Sequence, residues 1–138
     1  MAMLYDKGLF DYEDKVCKIW PKFGKHGKED IKICDVLRHE SGLAHFSKSI
    51  PTIKDAWPEN IKLNKIGEFI EEEKQHFPSN SETEYHALSR GLILNEIVRR
   101  IEPKVSLYSI LILLCIFAII KSSLGFFSNA LFILQPPF

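Results

Sequence analysis

The chain lacks an excess of either charge: 18 lysine and arginine residues balance 18 aspartate and glutamate residues among 138. Gripping nucleic acid requires a basic footprint that neutralises phosphates, and its absence argues against nucleic acid as a partner. Cysteine is scarce. Cys17, Cys34 and Cys115 are odd in number and share no metal-ligand spacing, so they build neither a disulfide framework nor a zinc site, which suits a reducing compartment. The opening Met1-Ala2-Met3-Leu4-Tyr5-Asp6 meets charge too early for the apolar stretch of a secretory signal. His26, His45, His76 and His86 show no ligand spacing and read as solvated or structural. No metal and no cofactor is expected.

Acid and arginine are also missing from Val105 to Phe138, where Lys121 is the one charged side chain among Ile, Leu, Phe and Ser. Up to Lys104 the chain is dense in mixed charge and turn signals, as in a soluble enzyme domain. A packed domain interleaves polar and apolar positions at the period of its helices and strands. The two stretches, residues 1–104 and 105–138, therefore call for separate explanations.

Along the first stretch the pattern is helical. Met1 to Lys7 reads as the last turns of a helix whose earlier turns lie upstream of Met1, with Gly8 as the left-handed residue that ends it. Asp11-Tyr12-Glu13-Asp14 is a turn or helix start. Val16, Ile19 and Trp20 give a short amphipathic helix stopped by Pro21, and Gly24 to Lys28 reads as a loop. Lys15, Lys18, Lys22, Lys25, Lys28 and Lys32 recur among Glu13, Asp14, Glu29, Asp30 and Asp35, which predicts a solvated face. Ile33, Val36 and Leu37 predict a short buried helix closing at Gly42, and Pro51 and Pro58 break His45 to Asn60 into irregular chain. Leu63, Ile66, Ile70 and Glu71 to Glu73 predict a helix ending before Pro78. Thr83 is the expected N-cap of a longer helix reaching about Ile101. Its apolar stripe is Ala87, Gly91, Leu94, Val98 and Ile101, small residues first, packed closely on a neighbour. No strand or repeat is expected.

Three groups of residues carry more than local structure. The first is Leu4-Tyr5-Asp6-Lys7-Gly8-Leu9-Phe10-Asp11-Tyr12 with Trp20-Pro21-Lys22-Phe23. The second is Asp35-Val36-Leu37-Arg38-His39-Glu40-Ser41-Gly42-Leu43, and the third Glu84-Tyr85-His86-Ala87-Leu88-Ser89-Arg90-Gly91. In this order the chain resembles the β-lactamase-related serine hydrolases, which include class C β-lactamases, penicillin-binding-protein-like enzymes, esterases and animal β-lactamase-like proteins. The resemblance covers residues 1 to about 104, a partial domain of that family. It implies an α+β fold, an antiparallel sheet flanked by helices with an all-helical insertion, of which this chain keeps mostly the helical part.

The resemblance also implies a chemistry: serine attacks an ester, amide or lactam carbonyl through an acyl-enzyme. An S-x-x-K motif supplies nucleophile and base on one helical face, a turn apart, so that the amine reaches the hydroxyl. A Y-x-N motif adds a tyrosine as proton relay, and a Lys-Thr-Gly strand completes the site. The implied order puts S-x-x-K at the start of the helix that ends in Met1 to Lys7. Here no serine is followed three residues later by lysine, and no Lys-Thr-Gly triplet occurs. Of the site residues only Tyr85 maps over, as the remnant of Y-x-N, with Ala87 in place of asparagine. That substitution favours an esterase- or peptidase-like parent over β-lactam binding through the amide. Read without the family, Tyr85 is a helix-start aromatic packed on the core. The expectation is a chain inactive in acyl transfer, because loss of the nucleophile alone costs on the order of 10⁶ in turnover.

His39-Glu40-Ser41-Gly42 imitates two other motifs without matching either. Leu43 stands where H-E-x-x-H needs its second histidine, and His39 stands where a G-x-S-x-G elbow needs glycine. A helix end with a glycine turn is the reading kept.

The second stretch admits alternatives. Val105 to Ile120 is uncharged and Leu124 to Leu134 is apolar. A spanning helix needs roughly 20 residues, so residues 105–134 form a hydrophobic C-terminal helix and a possible transmembrane segment only if Lys121 snorkels. Arg99, Arg100 and Lys104 precede it, so a span would anchor the protein at a membrane with its N-terminal part cytoplasmic. Without an anchor the chain is expected in the cytoplasm. Anchored at a membrane, the chain would be a non-catalytic interaction protein. A genetic reading stands beside these: Lys-Val-Ser matches the codons of a splice-donor boundary after Lys104. Thymine-rich intronic sequence read in frame yields Phe, Leu, Ile and Ser, as in a read-through or alternative-splice product.

Overall fold

Short helices joined by tight turns make up residues 1–47 and 51–103, which this computed structural model describes. They are α1 (Ala2–Asp6), α2 (Val16–Ile19), α3 (Ile33–Arg38), α4 (Pro58–Lys62), α5 (Lys65–Glu72) and α6 (Ser89–Ile101), with 3₁₀ turns at Pro21–Gly27 and Ile53–Ala56. No strand occurs among the described residues; Lys15 and Lys32 form an isolated antiparallel bridge. The family's sheet is therefore an implication of the resemblance rather than something these residues contain. The predicted hydrophobic helix and span at 105–134 lie outside the described residues. Among those described, no helix is long and apolar enough to cross a membrane.

α1 ends as its sequence predicts. Gly8 takes φ +68°, its N–H donates to the Tyr5 carbonyl at 2.7 Å and the Leu9 N–H to the Leu4 carbonyl at 3.1 Å. This paired closure satisfies two carbonyls that the helix itself leaves open. α3 starts where Asp35 accepts from the Lys32 N–H at 2.9 Å, an acid in the first turn that also suits the helix dipole. Its first turns bury Ile33 and Val36 completely, against a core that includes Trp20, Phe23, Ile70 and Ile97. Each such side chain contributes roughly 1.5–3 kcal/mol through removal from water.

Several expectations are corrected. Pro58 begins α4 at its first position instead of breaking the chain, because the N–H that proline lacks is unused there. Leu63 is 62 % exposed and outside α5, which starts only after Asn64 has turned through φ +60°. Gly24 to Lys28, by contrast, is the loop expected: Lys25 and His26 leave helical geometry and Gly27 takes φ +82°. The small stripe does not make a close contact: Gly91 has no neighbour within 4 Å of where a Cβ would stand. α6 buries Leu92, Ile93 and Ile97 instead, with Leu94, Val98 and Ile101 half-buried. The displaced face follows Glu96, a buried charge held by Arg99 Nη2 at 2.6 Å and by Arg100.

The lysine face is corrected too. Lys15, Lys18, Lys22 and Lys25 are exposed as predicted and Lys32 is half-exposed, but Lys28 is fully buried. α5 has no basic residue in its last turn. Lys28 reaches in from the Pro21–Gly27 turn to serve that end, donating to the carbonyls of Ile70 at 3.0 Å, Glu71 at 2.8 Å and Glu73. Burial pushes its ammonium down to about 8, against the opposing pull of Glu73, Glu72 and Glu71.

Candidate functional site

α3 connects the three sequence motifs. At its start, Cys34 and Ile33 donate backbone N–H groups to the carbonyls of Tyr12 at 2.9 Å and Asp14 at 3.1 Å, binding the first motif. That motif clusters its own aromatics: Tyr5 stacks on Tyr12 at 4.7 Å, with Phe10 edge-on to both. At the other end, His39 leaves the helix at φ +65°. This is a left-handed conformation in which histidine is tolerated better than most side chains, yet still at a cost of about 1–3 kcal/mol. From there the second and third motifs are bonded residue to residue.

His39 Nδ1 accepts the backbone N–H of His86 at 2.9 Å, and the His39 carbonyl accepts the N–H of Glu84 at 3.1 Å. The His86 ring is buried, with Nδ1 against the Glu84 carbonyl. Its Nε2 faces the Leu43 N–H at 3.2 Å and the Ser41 hydroxyl at 2.9 Å. An N–H can only donate, so Nε2 is an acceptor and the ring proton sits on Nδ1. Ser89 closes the junction by donating to the Ala44 carbonyl at 3.0 Å. Gly42 is obligatory: at φ +68° its Cβ position would lie 2.1 Å from the Phe77 carbonyl oxygen.

These contacts explain why Thr83 does not cap the last helix. Residues 83–86 stay out of the helix to bring His86 onto the 39–43 turn, Ala87 and Leu88 turn, and α6 begins only at Ser89. Burial lowers the pKa of both histidines, joined at His39 by the charge of Arg90 and opposed at His86 by its bond to the Glu84 carbonyl.

Tyr85, the one catalytic residue expected from the sequence, is 74 % exposed. It does not pack in the core: its ring lies against His39, centroid to centroid 5.0 Å, and among the described residues no group bonds its hydroxyl. Ser41 with His86 has the distance of a serine–histidine dyad but not its access. Ser41 is fully buried and its histidine acceptor is shared with a backbone N–H, so it cannot present a nucleophile to a substrate. His86 was legible as a residue in the third motif; its role was not, because nothing in the spacing says that it folds back across 45 residues to Ser41.

Two open clefts include neither Tyr85 nor this junction. One, about 500 Å³, is lined by Phe46, Phe69, Asp55, Glu68 and Glu72; the other, about 670 Å³, by Tyr5, Leu9, Asp14 and Lys18. Among the described residues no cluster of His, Cys, Asp and Glu could hold a metal ion.

The arrangement has close counterparts. A Beta-lactamase family model matches residues 1–107, so the chain belongs to the β-lactamase family. It is similar to the Esterase/beta-lactamase LipL of Mycobacterium tuberculosis, 29 % identical over 103 residues, covering 73 % of this chain and 22 % of that one. A penicillin-binding protein homologue from Caulobacter crescentus superposes with a TM-score of 0.63 at 27 % identity, over 74 % of this chain and 26 % of the other. EstA from Arthrobacter nitroguajacolicus Rue61a superposes with a TM-score of 0.63 at 30 % identity, over 75 % and 26 %. The fold is thus that of the β-lactamase and penicillin-binding-protein group, and the chain spans 22–26 % of the length of these relatives.

Proposed function

We propose that residues 1–104 are the tyrosine-bearing helical part of a β-lactamase-family serine hydrolase domain, with Tyr85 at the proton-relay position. The parent chemistry is acyl transfer on an ester, amide or lactam carbonyl, and this chain by itself does not perform it. The observation that carries the reading is Tyr85 itself. It is a large aromatic held outside the core, its ring against a backbone-strained histidine and its hydroxyl open to whatever packs there. The absence of any Ser-x-x-Lys in the sequence supports inactivity, since the remaining hydroxyls include no activated nucleophile. An esterase-like parent is favoured by Ala87, which offers no amide to a β-lactam. The test is direct: the purified chain is expected to hydrolyse nitrocefin and short p-nitrophenyl esters no faster than its Tyr85→Phe variant, with no serine labelled by a fluorophosphonate. Stoichiometric labelling of one serine would sink the reading.

A second reading rests on the uncharged run Val105 to Ile120 behind Arg99, Arg100 and Lys104. It makes the chain a membrane-anchored, non-catalytic interaction protein with residues 1–104 on the cytoplasmic side. A reporter fused ahead of residues 105–138 is then expected to resist carbonate extraction. Recovery only as detergent-insoluble inclusions would reject it.

A further inference from the structure

We propose that His39 and His86 are a two-histidine proton latch, locked in opposite tautomers, that closes the 83–88 segment onto the 39–43 turn and holds Tyr85 in place. Both histidines use a ring nitrogen as an acceptor of a backbone N–H, at opposite ring positions. His39 accepts at Nδ1 from His86, so its neutral form carries the proton on Nε2; His86 accepts at Nε2 from Leu43, so its proton is on Nδ1. A neutral imidazole has one acceptor nitrogen, and an imidazolium has none. Protonating either ring therefore sets N–H against N–H across one of the two junctions. In a buried site that costs both the hydrogen bond and the solvation of the group left facing it.

The two halves are coupled in series. The residue whose ring clamps Leu43 is the residue whose backbone His39 clamps, and Tyr85 lies between Glu84 and His86 with its ring on His39. The Glu84 N–H, bonded to the His39 carbonyl, closes the segment from its other side. Among the described residues no bond holds the Tyr85 side chain, and its carbonyl accepts only from Ala87 of the same segment, so the position of its ring follows from the state of these two histidines. They are positioning residues.

The surrounding charges bias the latch toward its closed, neutral form. Arg90 from α6 faces both rings and His76, from the segment after α5, faces His86; each disfavours a further positive charge. Glu84, on the clamped segment, favours protonation of His86. Its own neighbour His45 lies 3.7 Å away and stacks on His76 at 3.9 Å. The latch is thus built to stay shut through neutral pH and to open in acid.

What the latch does for chemistry rests on the Tyr85 reading above; that it exists does not. The test uses the full chain and no activity. Nitrogen-15 spectra of the histidine rings are expected to show Nε2–H for His39 and Nδ1–H for His86, both titrating below the ordinary histidine value. Amide-exchange protection of Leu43 and His86 is expected to fall at least about tenfold between roughly pH 7.5 and 5, while that of Leu92 and Ile93 in α6 holds. His39→Asn keeps an acceptor in place of Nδ1 and tolerates positive φ. In it the His86 amide is expected to stay protected in acid while Leu43 still loses protection. His39→Ala is expected to lose the His86 protection at both pH values. The same tautomer in both rings would overturn the proposal, as would His39 and His86 titrating at the ordinary value. So would acid-insensitive protection at Leu43, or a loss spread equally over α6. A failed latch leaves the esterase and fluorophosphonate result untouched, and labelling of a serine leaves the tautomers untouched.

Discussion

Two buried polar clusters hold this molecule together, and they differ in what can open them. One lies between α2, α5 and α6: Arg100 sits 3.9 Å from the Trp20 ring centre, Trp20 donates to Glu71 at 2.8 Å, and Arg99 and Arg100 share Glu96 and the Asn64 side-chain Oδ1. The other is the junction of His39, Ser41 and His86. Both satisfy buried groups by bonds far apart in sequence. Arginine keeps its charge at every pH a protein survives, so the first cluster is a permanent tie. Histidine changes charge near neutrality, so the second is conditional. The permanent tie fixes the helices; the conditional one fixes the segment that carries Tyr85.

The strongest way to break that comparison is to remove the permanent tie. Arg100→Met is expected to lower the unfolding free energy of the chain by about 3 kcal/mol, because Glu71 and Glu96 lose a cation they cannot replace from solvent. Arg99 still pairs Glu96, which keeps the loss from being larger. A denaturant midpoint unchanged by this substitution would make the two clusters equivalent and the contrast empty.

A smaller effect sharpens it. His39 and His86 bind protons less readily folded than unfolded. Between their ordinary value of about 6.5 and their lowered folded values, the unfolded chain therefore takes up more protons and stability falls as pH falls. The contribution is whole above that window and stops declining below it. Glu13, Asp14 and Glu72 have lowered pKa values through their lysine partners, Glu72 to about 2, and lose their contribution only further into acid. Thermal melts across pH are expected to show two separate declines, the first removed in His39→Asn,His86→Gln. A single decline confined to the carboxylate range would assign no stability to the histidine junction.

Much of the helical layout was legible because it depends on local rules. Gly8 closing α1, Pro21 stopping α2 and the 33–36–37 spacing of α3 are all decided within a turn or two of chain. The order of the three motifs was legible as well, and with it the family. What stayed hidden was every feature settled by a distant partner. Glu96 on the inner face of α6 reads as a solvent residue until Arg99 and Arg100 are placed beside it. Thr83 is a good cap by composition, but the pull of His86 toward His39 and Ser41 outweighs one capping bond. At the site, the motif singled out Tyr85, whereas His39 read as a helix end and His86 as a solvated or structural residue.

Lys28 was misread for the same reason, and its true setting has a chemical consequence. Its neighbours Lys15, Lys18, Lys22 and Lys25 offer their amines to solvent, while Lys28 spends its protons on the carbonyls that end α5. A reagent that acylates amines sees the first four at once and meets Lys28 only when the end of that helix comes apart. Its rate of acylation therefore times the opening of α5.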